Sequence, residues 1–153
     1  MASVSNSNPF GRTLALVNGD LQLVADGGFA MVTGRDDLLQ GLNTMIYTPF
    51  GSDIFNVNYG FDILNAIASP LPPQAIQDVI RLNIVKSVTV DNRIREVKEV
   101  VFDDDPHFYD LSPQSDPTDR SNARRTLRNW QAIVVLRTVS DTDVTISLQG
   151  SGL

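Results

Sequence analysis

Between Leu38 and Val88 the apolar residues of this chain twice recur at helical spacing, and on both sides of that span they alternate. Leu38, Leu39, Leu42, Met45 and Ile46 form the first stripe. Ile76, Val79, Ile80 and Ile84, extended by Val88, form the second. A period near 3.6 lines one face of a helix, and a period of two lines one face of a strand. A chain that keeps the two rhythms in separate blocks predicts an α+β fold: a small mixed sheet, two main helices, an N-terminal β-meander and a C-terminal β-hairpin.

Turn chemistry sets the boundaries. Leu14 with Leu16, Leu21 with Leu23, and Phe29 with Met31 mark the strands of the meander. Asn18-Gly19 and Asp26-Gly27-Gly28 separate them and supply the positive φ of tight turns. Thr33 stands where a cap of the first helix is expected, with Asp36 and Asp37 near its positive end. Thr48-Pro49-Phe50-Gly51 ends that helix, and a short one is expected from Asp62 to Ala68. Pro70, Pro72 and Pro73 lead into the second long helix, expected to run to about Thr89. Beyond it Ile94, Val97 and Val100 are spaced by three, which predicts a strand bulged near Arg95-Glu96 rather than a continued helix. Residues 131–139 and 144–148 alternate around Ser140–Asp143 and read as a hairpin.

The chain is thus expected to hold a short flexible arm over residues 1–10 and a single domain over 11–150. The arm is rich in Ser and Asn and lacks the basic and apolar stretches of a signal peptide. A long polar loop is expected at 103–129, acidic in its first half and basic in its second, punctuated by Pro106, Pro113 and Pro117.

Several function classes find little support in the residues. The formal net charge of −6 argues against broad phosphate binding, so no nucleic-acid partner is expected. No apolar run approaches the ~20 residues of a membrane helix, so no membrane partner is expected either. Without cysteine there is no disulfide, thiolate nucleophile or Cys-based metal site. The only glutamates, Glu96 and Glu99, flank Lys98, and no aspartate stands in an apolar context that would raise its pKa. The only histidine, His107, lies in an acidic, Pro-flanked segment. Asp103, Asp104 and Asp105 lack the Gly and terminal Glu of a calcium loop and read as a solvated run. Gly27-Gly28 precedes a strand, not a helix, and reads as a turn rather than a phosphate loop. No catalytic residue, metal site or cofactor is expected.

Three stretches, in order, resemble the sheath-initiator family of contractile tails, found in phage baseplates, type VI secretion systems and extracellular injection particles. The first runs from Leu38-Leu39-Gln40-Gly41-Leu42 through Tyr47-Thr48-Pro49-Phe50-Gly51. The second is Asn58-Tyr59-Gly60-Phe61-Asp62-Ile63-Leu64. The third is Asp91-Asn92-Arg93-Ile94, where the family usually has Glu-Pro-Arg. Arg93 is kept, Asp91 keeps the charge one carbon shorter, and Asn92 replaces the proline. Gly51-Ser52 likewise stands where many members have Gly-Glu.

The resemblance implies a non-catalytic baseplate wedge component, assembled in the host cytoplasm and resident in the virion tail in six-fold copies. Its implied partners are the wedge proteins, the first ring of sheath subunits, and tube or hub proteins. Asp91, Asn92 and Arg93 would contact the wedge core bundle. Val144, Thr145, Ile146, Ser147 and Leu148 would form an edge strand onto which sheath adds. The same hairpin can equally close the domain's own sheet. Arg120, Arg124, Arg125 and Arg128 precede Trp130 and leave three readings open. They could dock an acidic partner, contact nucleic acid with Trp130 stacking on bases, or be a solvated helix with Trp130 as core anchor. Two other functions stand beside the structural one: a lysozyme-like cell-wall hydrolase, and a free adaptor or inhibitor of the same fold.

Overall fold

The computed structural model describes residues 9–111 and 129–151 of the chain. Its architecture is α+β, and the chain divides into two compact units, Met1–Thr44 and Met45–Leu153.

The first unit is a curl of short strands followed by most of a helix. Strand β1 (Arg12–Leu14) pairs antiparallel with β4 (Met31–Thr33), and β2 (Leu16–Val17) pairs with β3 (Asp20–Leu21). Leu23 bridges Phe29. Asn18 and Gly19 both take positive φ, 53° and 87°, the signature of a two-residue hairpin turn. The three segments also close on one another. Ala15 N–H donates to Ala30 O, Ala30 N–H to Gln22 O, and Gln22 N–H to Ala15 O, at 2.9–3.0 Å. The expected meander is therefore a closed ring of three segments.

Helix α1 spans Arg35–Tyr47. Its first backbone bond runs from Leu38 N–H to Gly34 O, so Gly34, at φ 68°, occupies the cap expected of Thr33. Thr33 is held in β4 opposite Arg12 and cannot turn into the helix. Asp37 does not remain at the surface of the first turn. It is buried and accepts a 2.5 Å hydrogen bond from Thr13 Oγ1. Gln40, one turn on, acts as a substitute strand. Its Oε1 accepts from Leu16 N–H at 2.9 Å, and its Nε2 donates to Leu14 O at 2.9 Å and Thr13 Oγ1 at 3.2 Å.

The second unit is built on α2 (Leu64–Ala68), α3 (Pro73–Val88), β5 (Ile94–Phe102), α4 (His107–Leu111), β6 (Asn129–Thr138) and β7 (Asp143–Ser151). The strands form an antiparallel sheet in the order β5-β6-β7. Helix α3 starts with Pro73 at its first position, where the missing N–H costs nothing, and ends at Thr89, whose N–H donates to Val85 O. Its stripe residues Ile80, Ile84 and Val88 are buried, as are Phe102, Ala132, Val134, Leu136, Val144, Ile146 and Leu148 of the sheet. Trp130 is buried too, edge-on to Phe61 at 6.3 Å and Phe102 at 6.1 Å between ring centroids. It is a core anchor.

The bulge expected near Arg95 is present, between Ile94 and Glu96, and a second irregularity follows between Val97 and Glu99. Within the segment expected as a polar loop at 103–129, His107–Leu111 form the single turn α4 and Asn129 belongs to β6, while 112–128 lie outside the described residues. Phe108 of α4 is buried against Val101 and Ile133, with Tyr109, Leu111 and Val135 around them, and so covers part of the opposite sheet face. Asp105 holds the start of α4, its Oδ1 accepting from His107 N–H at 2.9 Å.

Candidate functional site

Stretches that carry the family resemblance come together in the second unit. Phe61 N–H donates to Thr48 O at 2.8 Å, Phe50 N–H to Phe61 O at 3.2 Å, and Gly51 N–H to Tyr59 O at 3.1 Å. This strapping depends on Gly60. At φ 105° a Cβ there would lie 2.6 Å from Thr48 O and 2.7 Å from Pro49 O, so no other residue fits. Helix α3 moors the same turn, with Ser87 Oγ donating to Gly60 O at 3.0 Å and Asn83 Nδ2 to Asp62 O at 2.6 Å. Between turn and helix lies a cavity of about 200 Å³ lined by Phe50, Asn58, Asp62, Asn83, Lys86, Ser87 and Val90. Lys86 Nζ sits 5.3 Å from the centre of the Phe50 ring. In the loop between Gly51 and Tyr59, Ile54 and Phe55 are 83% and 94% exposed, and Asp53 Oδ1 accepts from Phe55 N–H at 2.8 Å. Sequence reasoning passed over this pair because a short mixed apolar stretch carries no period.

The third stretch forms the corner from α3 to β5. Asp91 Oδ1 accepts from the backbone N–H and Nε of Arg93, both at 2.9 Å, and Oδ2 accepts from Nη2 at 2.6 Å. Burial alone would push the Asp91 carboxyl up, but the bonds from Arg93 and its charge bring it below the ordinary value. Tyr59 is raised by burial and then by the charges of Asp91 and Asp53, against the pull of Arg93, which ties the second stretch electrostatically to this corner. Arg93 O accepts from Val139 N–H at 3.0 Å, so the corner also holds the turn end of the C-terminal hairpin. Much of the Arg93 guanidinium is thus used within the chain, while Asn92 is exposed.

The C-terminal strand behaves as an edge. Every residue from Asn129 to Arg137 pairs in unbroken register with Ser151 to Asp143. Thr138 N–H donates to Thr142 O, whereas Gln131 O accepts from Asp103 N–H on the β5 side. Even-numbered residues of β6 therefore bond toward β7, and their partners Val144, Ile146 and Leu148 bond back. The N–H and C=O groups of Thr145, Ser147 and Gln149 point away from β6. Among the described residues no strand meets them. Val144, Ile146 and Leu148 are buried, and Thr145, Ser147 and Gln149 are exposed.

Charge is confined to one end of this edge. Lys98 and Arg137 both reach Asp143, at 2.6 and 3.1 Å, Glu96 lies 3.7 Å from Arg137, and Arg95 meets Asp141. The bonds from Lys98 and Arg137 hold the Asp143 carboxyl below its ordinary value. From Val144 to Ser151 there is no charged residue, proline or bulge. The opposite edge, β5, is broken twice in register and carries Arg95, Glu96, Lys98 and Glu99. Natural sheets blunt free edges with such charges and bulges. Here one edge is blunted and the other is not.

The remaining candidates divide. Arg120, Arg124, Arg125 and Arg128 lie outside the described residues. Asp104 and Asp105 are exposed, and Asp104 accepts from Gln77 Nε2 at 3.1 Å. Asp103 overturns the expectation that no aspartate is raised, because burial and the neighbouring Asp104 charge push its pKa up. Asp103 is half-buried, and its N–H donates to Gln131 O, a placement invisible without the register of β5 on β6. Glu96 and Glu99 are exposed, and His107 Nε2 lies 3.6 Å from Glu99. Among the described residues no three acidic or histidine side chains converge as metal ligands, and no helix is long and apolar enough to cross a membrane.

No family model and no curated protein matches this chain. Among solved structures it is similar to a candidate tail lysozyme from Geobacter sulfurreducens, with a TM-score of 0.57 and 14% identity over 81% of this chain and 97% of that one. The chain shares the fold of that tail protein. At so low an identity the likeness speaks for the fold alone.

Proposed function

We propose that the chain is a structural baseplate component of a contractile tail or related injection machine, and that it recruits the first sheath subunits by accepting a strand at β7. The observation that carries this reading is the asymmetry of the sheet. The β7 edge is continuous, uncharged and unbulged, while β5 is interrupted and charged. An incoming strand completes the outward backbone groups of Thr145, Ser147 and Gln149. The fold shared with a tail protein and the three family-like stretches support the same reading. The Asp91–Arg93 corner, with exposed Asn92, is the proposed contact for the wedge core bundle.

Proline tests the edge. In an edge strand it is tolerated where the N–H points outward. Ser147→Pro should therefore keep the fold and its melting temperature to within a few degrees, yet lower sheath recruitment in reconstituted assembly at least about tenfold. Sheath that assembles equally well on Ser147→Pro sinks the proposal.

A second reading follows from the name of the structural neighbour, a hydrolase of cell-wall glycan, and the raised Asp103 carboxyl is the observation in its favour. Turnover of purified peptidoglycan that disappears in Asp103→Asn would establish it. Absence of turnover in the wild-type chain would remove it.

A further inference from the structure

The alternation in the N-terminal curl ordinarily marks a face turned inward. Here that face is in solvent. Leu14 stands opposite Met31, Leu16 opposite Leu21, and Leu23 opposite Phe29. Residues two apart on a strand share a face, as do directly opposed residues of paired strands. All six side chains therefore lie on one side of the curl, and they are 38–65% exposed. Six large side chains half in water amount to several hundred Å², comparable with the largest apolar patch of an ordinary monomer and about half of one side (~800 Å²) of a standard interface.

The surroundings of this face narrow its occupant. Residues 9–34 contain only three charges, Arg12, Asp20 and Asp26. Asp20 follows the first hairpin turn and Asp26 lies in the second, so the two acids stand at the turns that border the apolar face. Arg12 is the single basic residue of 9–34, far short of the Lys/Arg cluster that anionic lipid recognises. A second copy would bring together two bodies of formal charge −6. The ring of bonds among Ala15, Gln22 and Ala30 uses backbone groups inside the curl, so contact here is made through side chains rather than by adding a strand. We infer that the face formed by Leu14, Leu16, Leu21, Leu23, Phe29 and Met31 docks a different protein chain, one that presents an aliphatic surface bordered by Lys or Arg opposite Asp20 and Asp26. Apolar centre and polar rim is the usual anatomy of such contacts. This inference concerns the first unit and does not rest on the role proposed for β7.

Photo-crosslinking tests it. Benzoylphenylalanine is placed at Phe29, or at Leu23, in the full chain, expressed together with the proteins encoded beside its own gene. The expected result is an adduct to one other polypeptide, whose crosslinked peptide, sequenced by mass spectrometry, carries aliphatic residues flanked by Lys or Arg. Leu16→Lys should abolish the adduct at Phe29, while Asp20→Lys with Asp26→Lys should weaken it at least about tenfold. Adducts confined to copies of this chain, adducts to lipid, or no adduct at either position would overturn the inference. So would flotation of the full chain with phosphatidylcholine–phosphatidylserine vesicles that Leu23→Lys prevents. Circular dichroism of each Lys variant should match the wild type, since every substituted side chain is exposed. A melting transition lost in all of them would mean that the face belongs to the chain's own core, and would also overturn the inference.

Discussion

Trp130 on β6 and Gly150 on β7 face each other as a cross-strand pair, and a Cβ built on Gly150 would stand 2.5 Å from the indole. The ring thus occupies the space that any other residue at 150 would need. The same indole is packed edge-on to Phe61 and Phe102, so it cannot move aside without disturbing the core. Gly150→Ala is expected to destabilise the chain by about 1–3 kcal/mol, the usual cost of overpacking. Urea unfolding followed by the fluorescence of the single tryptophan measures it directly. An unchanged midpoint would show that the strand end gives way freely.

Gly60→Ala should cost more. It combines a positive φ with a clash against two backbone oxygens rather than against a side chain that could swing away. Backbone strain and overpacking together suggest about 3 kcal/mol or more. The cavity beside α3 should deform with it, which amide chemical shifts of Asn83 and Ser87 would report.

The Asp91–Arg93 pair predicts a pH dependence of definite sign. The folded carboxyl titrates below its unfolded value, so its contribution to stability is complete above the ordinary aspartate pKa and disappears as pH falls through the lowered folded one. Asp91→Asn should lower the melting temperature at neutral pH, and the gap from wild type should close in strong acid. Asp103 has the opposite sign, since its raised pKa makes the ionised form a burden that acid relieves. A gap for Asp91→Asn that is constant with pH would mean that the side chain acts by shape alone.

Gln40→Ala removes hydrogen bonds to Leu16 N–H, Leu14 O and Thr13 Oγ1. These are exposed, so about 1–2 kcal/mol is expected in total. The effect should be local: hydrogen exchange at Leu16 quickens, while that of β6 is unchanged.

Much of this fold was legible because it rests on period and punctuation. Helix α3 announces itself by Pro73 and a stripe to Val88, and the three-residue spacing of Ile94, Val97 and Val100 correctly implies a bulged β5. What was not legible depends on partners distant in sequence. Helix α4 has five residues, too few to show a period, and Phe108 is buried only because Val101 and Ile133 lie on the face it covers. The exchange of Thr33 for Gly34 at the first cap follows from the pairing of Thr33 with Arg12. At the candidate site, the alternation of 144–148 marked the strand. Which of its N–H groups point outward follows only from the bonds at Thr138 and Gln131.

A sheet with one blunted border and one plain border has a valence of one. A chain that pairs through β7 leaves the β5 side, with its two register breaks, as the outer margin of any enlarged sheet. Under the proposed strand addition at β7, lateral growth would stop where it started, and such a subunit would begin a polymer without becoming one of its repeating links.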